Sequence, residues 1–332
     1  MGIRNNLNIS RRRLIQAGVI SAISPYSWAS SRCGEPQMPD PTQALGSFSA
    51  TSTAEQVTAG INLAGKTAMV TGCNSGLGLE TMRVLAMRGA HVIGTARSKE
   101  KAENACKSVV GETTPITLEL TEFDSIRQCA NDVKALNTPI DILICNAGVM
   151  AVQELRIYNG VEMQFAVNHL GHFLLVNQLL QPVISADNGR IVILSSCAHH
   201  SAPPEGIDFD NLDGSKSYSP WPAYGRSKLA NGLHAMELSR RLNGTGVTAN
   251  AVHPGVIKTN LWRQLEQPVS DGKMNKSIPQ GTATQCYVAA NPIPAKTSEQ
   301  YFADCNPVLA DPLMYDKALA KRLWYVSEEL ST

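Results

Sequence analysis

The segment Thr71-Gly72-Cys73-Asn74-Ser75-Gly76-Leu77-Gly78 lies between the apolar run 68–70 and a helically patterned stretch at 82–87. No other part of the sequence restricts the fold as tightly. Glycines let a backbone turn sharply and come close to a ligand. A strand running through such a loop into a helix aims the helix's unbonded N–H groups and positive dipole end at the space above the loop, where a pyrophosphate fits. The glycines at 72, 76 and 78 depart from the G-x-G-x-x-G spacing of many dinucleotide-binding loops. The strand–loop–helix setting therefore carries more of the reading than the glycines do.

From Lys66 onward, short apolar runs alternate with helical stretches. Residues 91–95, 116–120 and 140–145 read as strands and 126–136 as a helix; 191–194 and 247–252 read as later strands, and 315–330 as a closing amphipathic helix. Alternation of this kind predicts an α/β fold: one domain built on a doubly wound parallel sheet, with right-handed crossovers and helices on both faces. With 332 residues, 43% hydrophobic and 17% charged, the chain has enough apolar material for a sizeable core. A net charge of +1 gives no general pull towards nucleic acid. No apolar run is long enough to span a bilayer. The eight cysteines form no C-x-x-C pair, so neither a zinc site nor a redox motif is indicated, and buried free thiols are expected.

Residues 1–60 differ in kind. Arg4, Arg11, Arg12, Arg13 and Arg32 precede the first acidic residue, Glu35. Ser10-Arg11-Arg12-Arg13-Leu14-Ile15-Gln16 resembles the twin-arginine export signal of bacteria, and small residues at Ser27-Trp28-Ala29 suit a signal peptidase. An organelle transit peptide or an unaddressed basic tail has the same composition, so periplasmic export stands beside an organellar or cytoplasmic location. Residues 30–60, rich in Ser, Thr, Pro, Gln and Ala, read as a flexible tether. The expected organisation is a leader over 1–60 and one domain over 61–332.

The second half contains Tyr224-Gly225-Arg226-Ser227-Lys228 inside a stretch, 223–242, with helical spacing of Leu229, Leu233, Met236 and Leu238. On a helix, residues four apart are neighbours, so the Tyr224 phenol and the Lys228 ammonium share a face. The positive charge is expected to favour phenolate and lower the tyrosine pKa from about 10, which suits proton transfer near neutral pH.

Taken in order, these motifs resemble the short-chain dehydrogenase/reductase family from about Leu63 to the C-terminus. T-G-x-x-x-G-x-G at 71–78 matches its cofactor loop. Asn146-Ala147-Gly148 is similar to its N-A-G motif, and Asn168, in Val167-Asn168-His169-Leu170-Gly171, falls where the family has a catalytic Asn. Ser195-Ser196 ends a strand, and His253-Pro254-Gly255-Val256 follows the last expected one. The resemblance implies a Rossmann-type fold and carbonyl–alcohol interconversion by hydride transfer. Asn168, Ser196, Tyr224 and Lys228 are the expected catalytic residues. Ser196 would hold the substrate oxygen, Tyr224 would exchange its proton, and Lys228 would bind the nicotinamide ribose and tune Tyr224. Asn168 would anchor a water in the proton relay. The expected cofactor-binding residues are Gly72, Asn74, Ser75, Gly76, Leu77, Gly78, Arg97, Leu120, Asn146, Ala147, Gly148, Tyr224, Lys228, Pro254, Gly255, Val256 and Thr259, the last holding the carboxamide. Arg97, at the end of the second strand and backed by Lys99, can pair with a 2′-phosphate, which favours NADP(H) over NAD(H). Glu119 stands where relatives carry Asp beside the adenine.

The 27 residues between Ser196 and Tyr224, Leu229-Ala230-Asn231 after the lysine, and Tyr301-Phe302-Ala303-Asp304-Cys305 resemble the retinol dehydrogenase-like branch. That branch acts on hydrophobic aldehydes, ketones and alcohols, so a hydrophobic small-molecule substrate is implied. Residues 258–280 (Trp262, Leu265, Pro268, Met274, Ile278) read as a lid, with Trp262 and Trp221 walling an apolar pocket. His169, His172, His199 and His200 share no ligand-like spacing with a carboxylate or thiol, so no metal is expected. The family also implies a homodimer or homotetramer, formed through the helices around Asn168 and Tyr224. A cofactor-binding sensor without turnover would usually lack one of the four reacting residues, and all four are present.

Overall fold

The computed structural model describes residues 46–265 and 276–332. Among them an eight-stranded sheet is formed by β1 (Thr67–Val70), β2 (His91–Ala96), β3 (Thr113–Thr117), β4 (Ile142–Cys145), β7 (Arg190–Leu194), β8 (Thr248–His253), β9 (Tyr301–Ala303) and β10 (Asn306–Pro307). Their order is β3-β2-β1-β4-β7-β8-β9-β10, with every pairing parallel except β9 with β10. A two-stranded hairpin, β5 (Ile157–Tyr158) and β6 (Val161–Glu162), stands apart.

Period-two side-chain alternation divides each strand between two cores. Met69, Ile93, Leu143, Cys145, Ile191 and Ile193 face one side; Ala68, Val70, Val92, Ile142, Ile144 and Val192 face the other. The first face is covered by α4 (Phe123–Ala135), α6 (Gly171–Ile184), α7 (Pro220–Arg241) and α9 (Lys317–Leu330). The second is covered by α1 (Ala54–Val57), α2 (Gly76–Met87), α3 (Lys99–Lys107) and α8 (Ile278–Ala290). Strands buried on both faces need apolar residues at nearly every position, which is why they read as continuous runs. Strand order reverses between β1 and β4, and the crevice at the carboxyl ends of strands there is the binding position of open α/β sheets.

Two expectations change. The tether does not extend to residue 60: Thr53 and Gln56 form a capping box on α1, Ala54 and Val57 are buried, and Glu55 pairs with Arg83 at 2.6 Å. Thirty ordinary polar and small residues give little hint of two that dock. Ile278 begins α8 rather than a lid, while Pro268 and Met274 lie outside the described residues, as does the leader over 1–45. The helix carrying Tyr224 is covered within this chain, with every residue from Ala223 to Ser239 buried. The C-terminal helix α9 is one of its covers: Trp324 packs edge-on to Phe173 of α6 at 4.9 Å, beneath the Arg241 guanidinium at 4.1 Å.

Candidate active site

A cavity of about 270 Å³ lies over the switch point. Its floor is the loop at 72–78. A side chain at Gly78 would collide with the Gly72 carbonyl oxygen and sit 2.6 Å from Asn146 Nδ2, so α2 can approach β1 this closely only with glycine there. Ser75 caps α2 without a side-chain hydrogen bond, and the first turn has no acidic residue. The N–H groups and the dipole end of α2 are thus left for an anion.

Asn74, Ser75, Gly76, Leu77, Arg97, Leu120, Asn146, Ala147, Gly148, Tyr224, Lys228, Pro254 and Thr259 all line this cavity, with Gly72 and Gly78. Gly255 and Val256 do not; the turn places Gly255 against the stem of Lys276, where an added Cβ would lie 2.7 Å from Cδ. Exposed Arg97 stands at the rim on the C-terminal side of β2. Lys99, meanwhile, is within 3.9 Å of Glu103 on its own helix. Glu119 accepts from Thr121 N and Oγ1 at 3.1 and 2.9 Å, so its carboxylate is held by its own loop. Tyr158 and Met163, from the hairpin and the short turn after it, also line the cavity; nothing in their sequence marked them.

Of the expected reacting groups Tyr224 and Lys228 line the cavity, while Ser196 and Asn168 stand behind them. Tyr224 and Lys228 share one face of α7, with Lys228 Nζ 5.7 Å from the Tyr224 ring centroid. Nζ donates to the Leu194 carbonyl at 2.9 Å. The Ser196 hydroxyl is in hydrogen-bonding reach of the Tyr224 phenol and favours its ionised form. Ser195 Oγ instead donates to the Lys228 carbonyl at 2.7 Å, tying the end of β7 to α7. The structure thus gives the two serines different tasks. The Asn168 side chain is consumed by structure: Oδ1 accepts from Val149 N at 2.8 Å, and Nδ2 donates to Val149 O and Ser227 Oγ, each at 2.9 Å. Its main-chain carbonyl accepts from His172 Nδ1 at 3.0 Å and has a second lone pair that could hold a water. That carbonyl lies in a π-helical turn, Ala166–Leu170, of a kind common at functional sites.

The expectation that Lys228 lowers the Tyr224 pKa is corrected. Burial pushes the phenol well above its ordinary value, and Ser196 is what opposes the rise. The ammonium is itself desolvated, its pKa lowered to about 7. Taking both groups out of water penalises their charged forms, and that desolvation is the largest effect on each.

Around Tyr224 lies an apolar wall of Met150, Ala151 and Ala198, with Trp221, Leu261, Trp262 and Leu265 packed on it. Trp221 meets the Tyr224 ring edge-on at 6.1 Å. The 197–219 insert folds as two 3₁₀ turns, and Arg226 anchors it by donating to the Asn211 carbonyl at 2.7 Å. Gly225 lets the insert cross α7, since a Cβ would lie 2.6 Å from Ala202 N. The histidines make structural hydrogen bonds. His199 Nδ1 donates to Ser196 O at 2.6 Å while Nε2 accepts from Asp311 N at 3.0 Å; His169 Nε2 is 2.8 Å from Ser327 Oγ.

The family model for short chain dehydrogenases matches residues 66–209. The chloroplastic short-chain dehydrogenase TIC 32 A of Brassica napus is 44% identical over 301 residues, which are 85% of this chain and 94% of that protein. The chain belongs to the short-chain dehydrogenase/reductase family. Human retinol dehydrogenase 14 is 37% identical over 290 residues, 80% of this chain and 85% of its own, which places the chain in the retinol dehydrogenase-like branch. A crystal structure of an uncharacterized protein from Mycobacterium paratuberculosis superposes with a TM-score of 0.69 at 34% identity, covering 85% of this chain and 97% of that one. As a short-chain dehydrogenase/reductase, the protein is an oxidoreductase of alcohol and carbonyl groups with a nicotinamide cofactor, and the glycine cradle and free helix end fit that cofactor.

The lysine pKa has a consequence for stability. Below about pH 7 Lys228 is charged in both folded and unfolded states, so its burial cost is full. Between there and the unfolded value of 10.5, the folded chain has released a proton that the unfolded chain still holds, and the cost fades as pH rises. Lys228→Met should therefore stabilise the cofactor-free protein most at about pH 6, less at about 8 and least near 10, as urea unfolding measures. A pH-independent difference would show that the ammonium is not desolvated.

Proposed function

We propose that the protein is an NADP(H)-dependent oxidoreductase that interconverts a carbonyl and an alcohol on a small or medium hydrophobic substrate, retinoid- or lipid-like in character. The observation that carries the reading is the approach of Ser196 to the Tyr224 phenol, beside the buried Lys228 amine, with Tyr224 and Lys228 lining the same cavity as the glycine loop. When bound, the nicotinamide supplies or accepts the hydride. Ser196 hydrogen-bonds the substrate oxygen and holds it against Tyr224. Tyr224 Oη donates its proton to that oxygen in reduction and takes it back in oxidation. Lys228 Nζ, with one chain acceptor, is left to donate to ribose hydroxyls. The Asn168 carbonyl holds a water for proton resupply.

The apolar wall of Trp221, Leu261, Trp262 and Leu265 supports a hydrophobic substrate, as do relatives named retinol dehydrogenases. Water excluded by that wall strengthens each polar contact at the reacting oxygen. Arg97 supports NADP(H), since its guanidinium can pair bidentately with a 2′-phosphate at the cavity rim. For the address we retain twin-arginine export; the TIC 32 relatives, named chloroplastic, support organelle import as the other outcome.

Three measurements test these points. Tyr224→Phe should lower NADPH-dependent reduction of decanal or retinaldehyde by about 10²–10⁴-fold while leaving NADPH affinity within about twofold. Equal consumption by both proteins would remove the proton-transfer role, and none by either would favour a silent binding protein. Arg97→Asp should weaken NADPH binding by about 10–100-fold and NADH binding far less, by fluorescence titration; an equal loss would remove the phosphate contact. A reporter fused behind residues 1–35 should reach the periplasm, and should stay in the cytoplasm when Arg11, Arg12 and Arg13 become Lys. An unprocessed cytoplasmic reporter with the native arginines would sink export.

A further inference from the structure

We propose that His172 is a positioning residue whose neutral imidazole couples the cofactor loop to the proton-relay carbonyl of Asn168. It bridges Thr71 Oγ1 on one side, at 2.9 Å from Nε2, and the Asn168 main-chain oxygen on the other, at 3.0 Å from Nδ1. All three residues are buried, so a water on the Asn168 carbonyl would be an enclosed one.

The protons on this bridge follow from counting donors and acceptors. A carbonyl oxygen only accepts, so Nδ1 carries hydrogen and donates to Asn168 O. The Thr71 hydroxyl oxygen already accepts from Asn146 N and Ala147 N, each at 2.9 Å. Its lone pairs are used, and its single proton is left for Nε2. Both ends therefore require the same tautomer, with Nε2 bare. An imidazolium would point a second N–H at a hydroxyl with nothing left to accept it. Burial keeps the ring neutral, lowering its pKa to about 4, and Lys228 acts in the same direction while the Asn168 contact opposes it. The other titratable rings packed nearby, His169 and His234, are buried and held neutral as well.

The two hydrogen bonds separate by function. Thr71 begins the glycine loop and, through Asn146 and Ala147, fixes the next strand end, so the Nε2 bond acts on the cradle. Asn168 sits in the π-helical turn one residue-turn before His172, so the Nδ1 bond aims the carbonyl that holds the relay water. Two side chains can replace one bond each. The Nδ2 of an asparagine at 172 reaches the place of Nδ1, and the amide end of a glutamine reaches that of Nε2.

The experiment uses the full chain with His172→Leu, His172→Asn and His172→Gln. NADPH affinity is read by fluorescence titration, which needs no turnover, kcat and KM are read with decanal, and melting temperature is followed alongside. His172→Leu should weaken NADPH about tenfold and lower kcat about tenfold, one neutral hydrogen bond for each. His172→Asn should recover kcat with NADPH still weak. His172→Gln should recover NADPH affinity with kcat still low. Unchanged values in the leucine variant, or losses in all three that follow melting temperature without this split, would overturn the coupling. The turnover arm rests on the proposed reductase activity. If the wild type reduces no carbonyl, that activity fails, and the affinity arm still decides the Thr71 half by whether glutamine alone restores binding.

Discussion

The ammonium of Lys228 is held out of water at the end of the sheet, and much of the surrounding structure answers to that. A buried cation needs acceptors, or it loses its proton. Among the described residues the chain supplies one, the Leu194 carbonyl, which also accepts from Asn231 one helical turn further along α7. Ser195 returns a bond from β7 to the Lys228 carbonyl, so strand end and helix are pinned to each other on both sides of the charge. Asn168 closes the third side through Ser227, whose hydroxyl in turn donates to the Tyr224 carbonyl. The remaining side opens on the cavity. The lysine is thus short of acceptors where a ribose would offer them, and the stability lost in burying it is held in reserve for binding.

The same reasoning explains the buried histidines. Charged imidazoles near Lys228 would add repulsion to a cation already desolvated. His172 and His199 avoid this by accepting at Nε2, from the Thr71 hydroxyl and the Asp311 amide, which leaves one proton each for a backbone carbonyl. Those carbonyls belong to Asn168 and Ser196. Two of the proposed reacting residues are therefore held at the backbone by neutral rings, while His234, whose nitrogens have no hydrogen-bond partner among the described residues, is packed among Phe173 and Trp324. A ring of this kind can orient a peptide group and add no charge to it.

Much of the sheet was legible in the sequence because burial on both faces forces long apolar runs, and the helices between them left their own spacing. The glycine loop, the Tyr–Lys pair and Ser196 were legible for a different reason: each chemical task admits few residue types. What escaped depended on distance in the chain. Residues 54–57 dock through two small side chains and one ion pair, a signal no composition carries. Tyr158 and Met163 reach the cavity only because a short hairpin folds over it. The pKa relation of Tyr224 and Lys228 was misjudged because spacing gives proximity and says nothing about solvent. Four residues apart on a helix places two groups side by side; only the covering of α7 by α9 and the insert shows that desolvation outweighs their attraction.

That covering also divides the site into parts of unequal freedom. Trp221 stands three residues before Tyr224 on the same helix, and its ring touches the tyrosine edge, so a change there moves the reacting group. Gly225 and Arg226 are committed to the insert that crosses beneath. Leu261, Trp262 and Leu265 follow Thr259, which packs against Gly76, and Asn260 and Leu261 of the same turn also line the cavity. Leu261 and Leu265 carry no side-chain hydrogen-bonding group, so their volume can change without removing a hydrogen bond. Side-chain volume is thus freer to vary at Leu261, Trp262 and Leu265 than at Trp221, Gly225 and Arg226, whose contacts tie them to Tyr224 and to the insert.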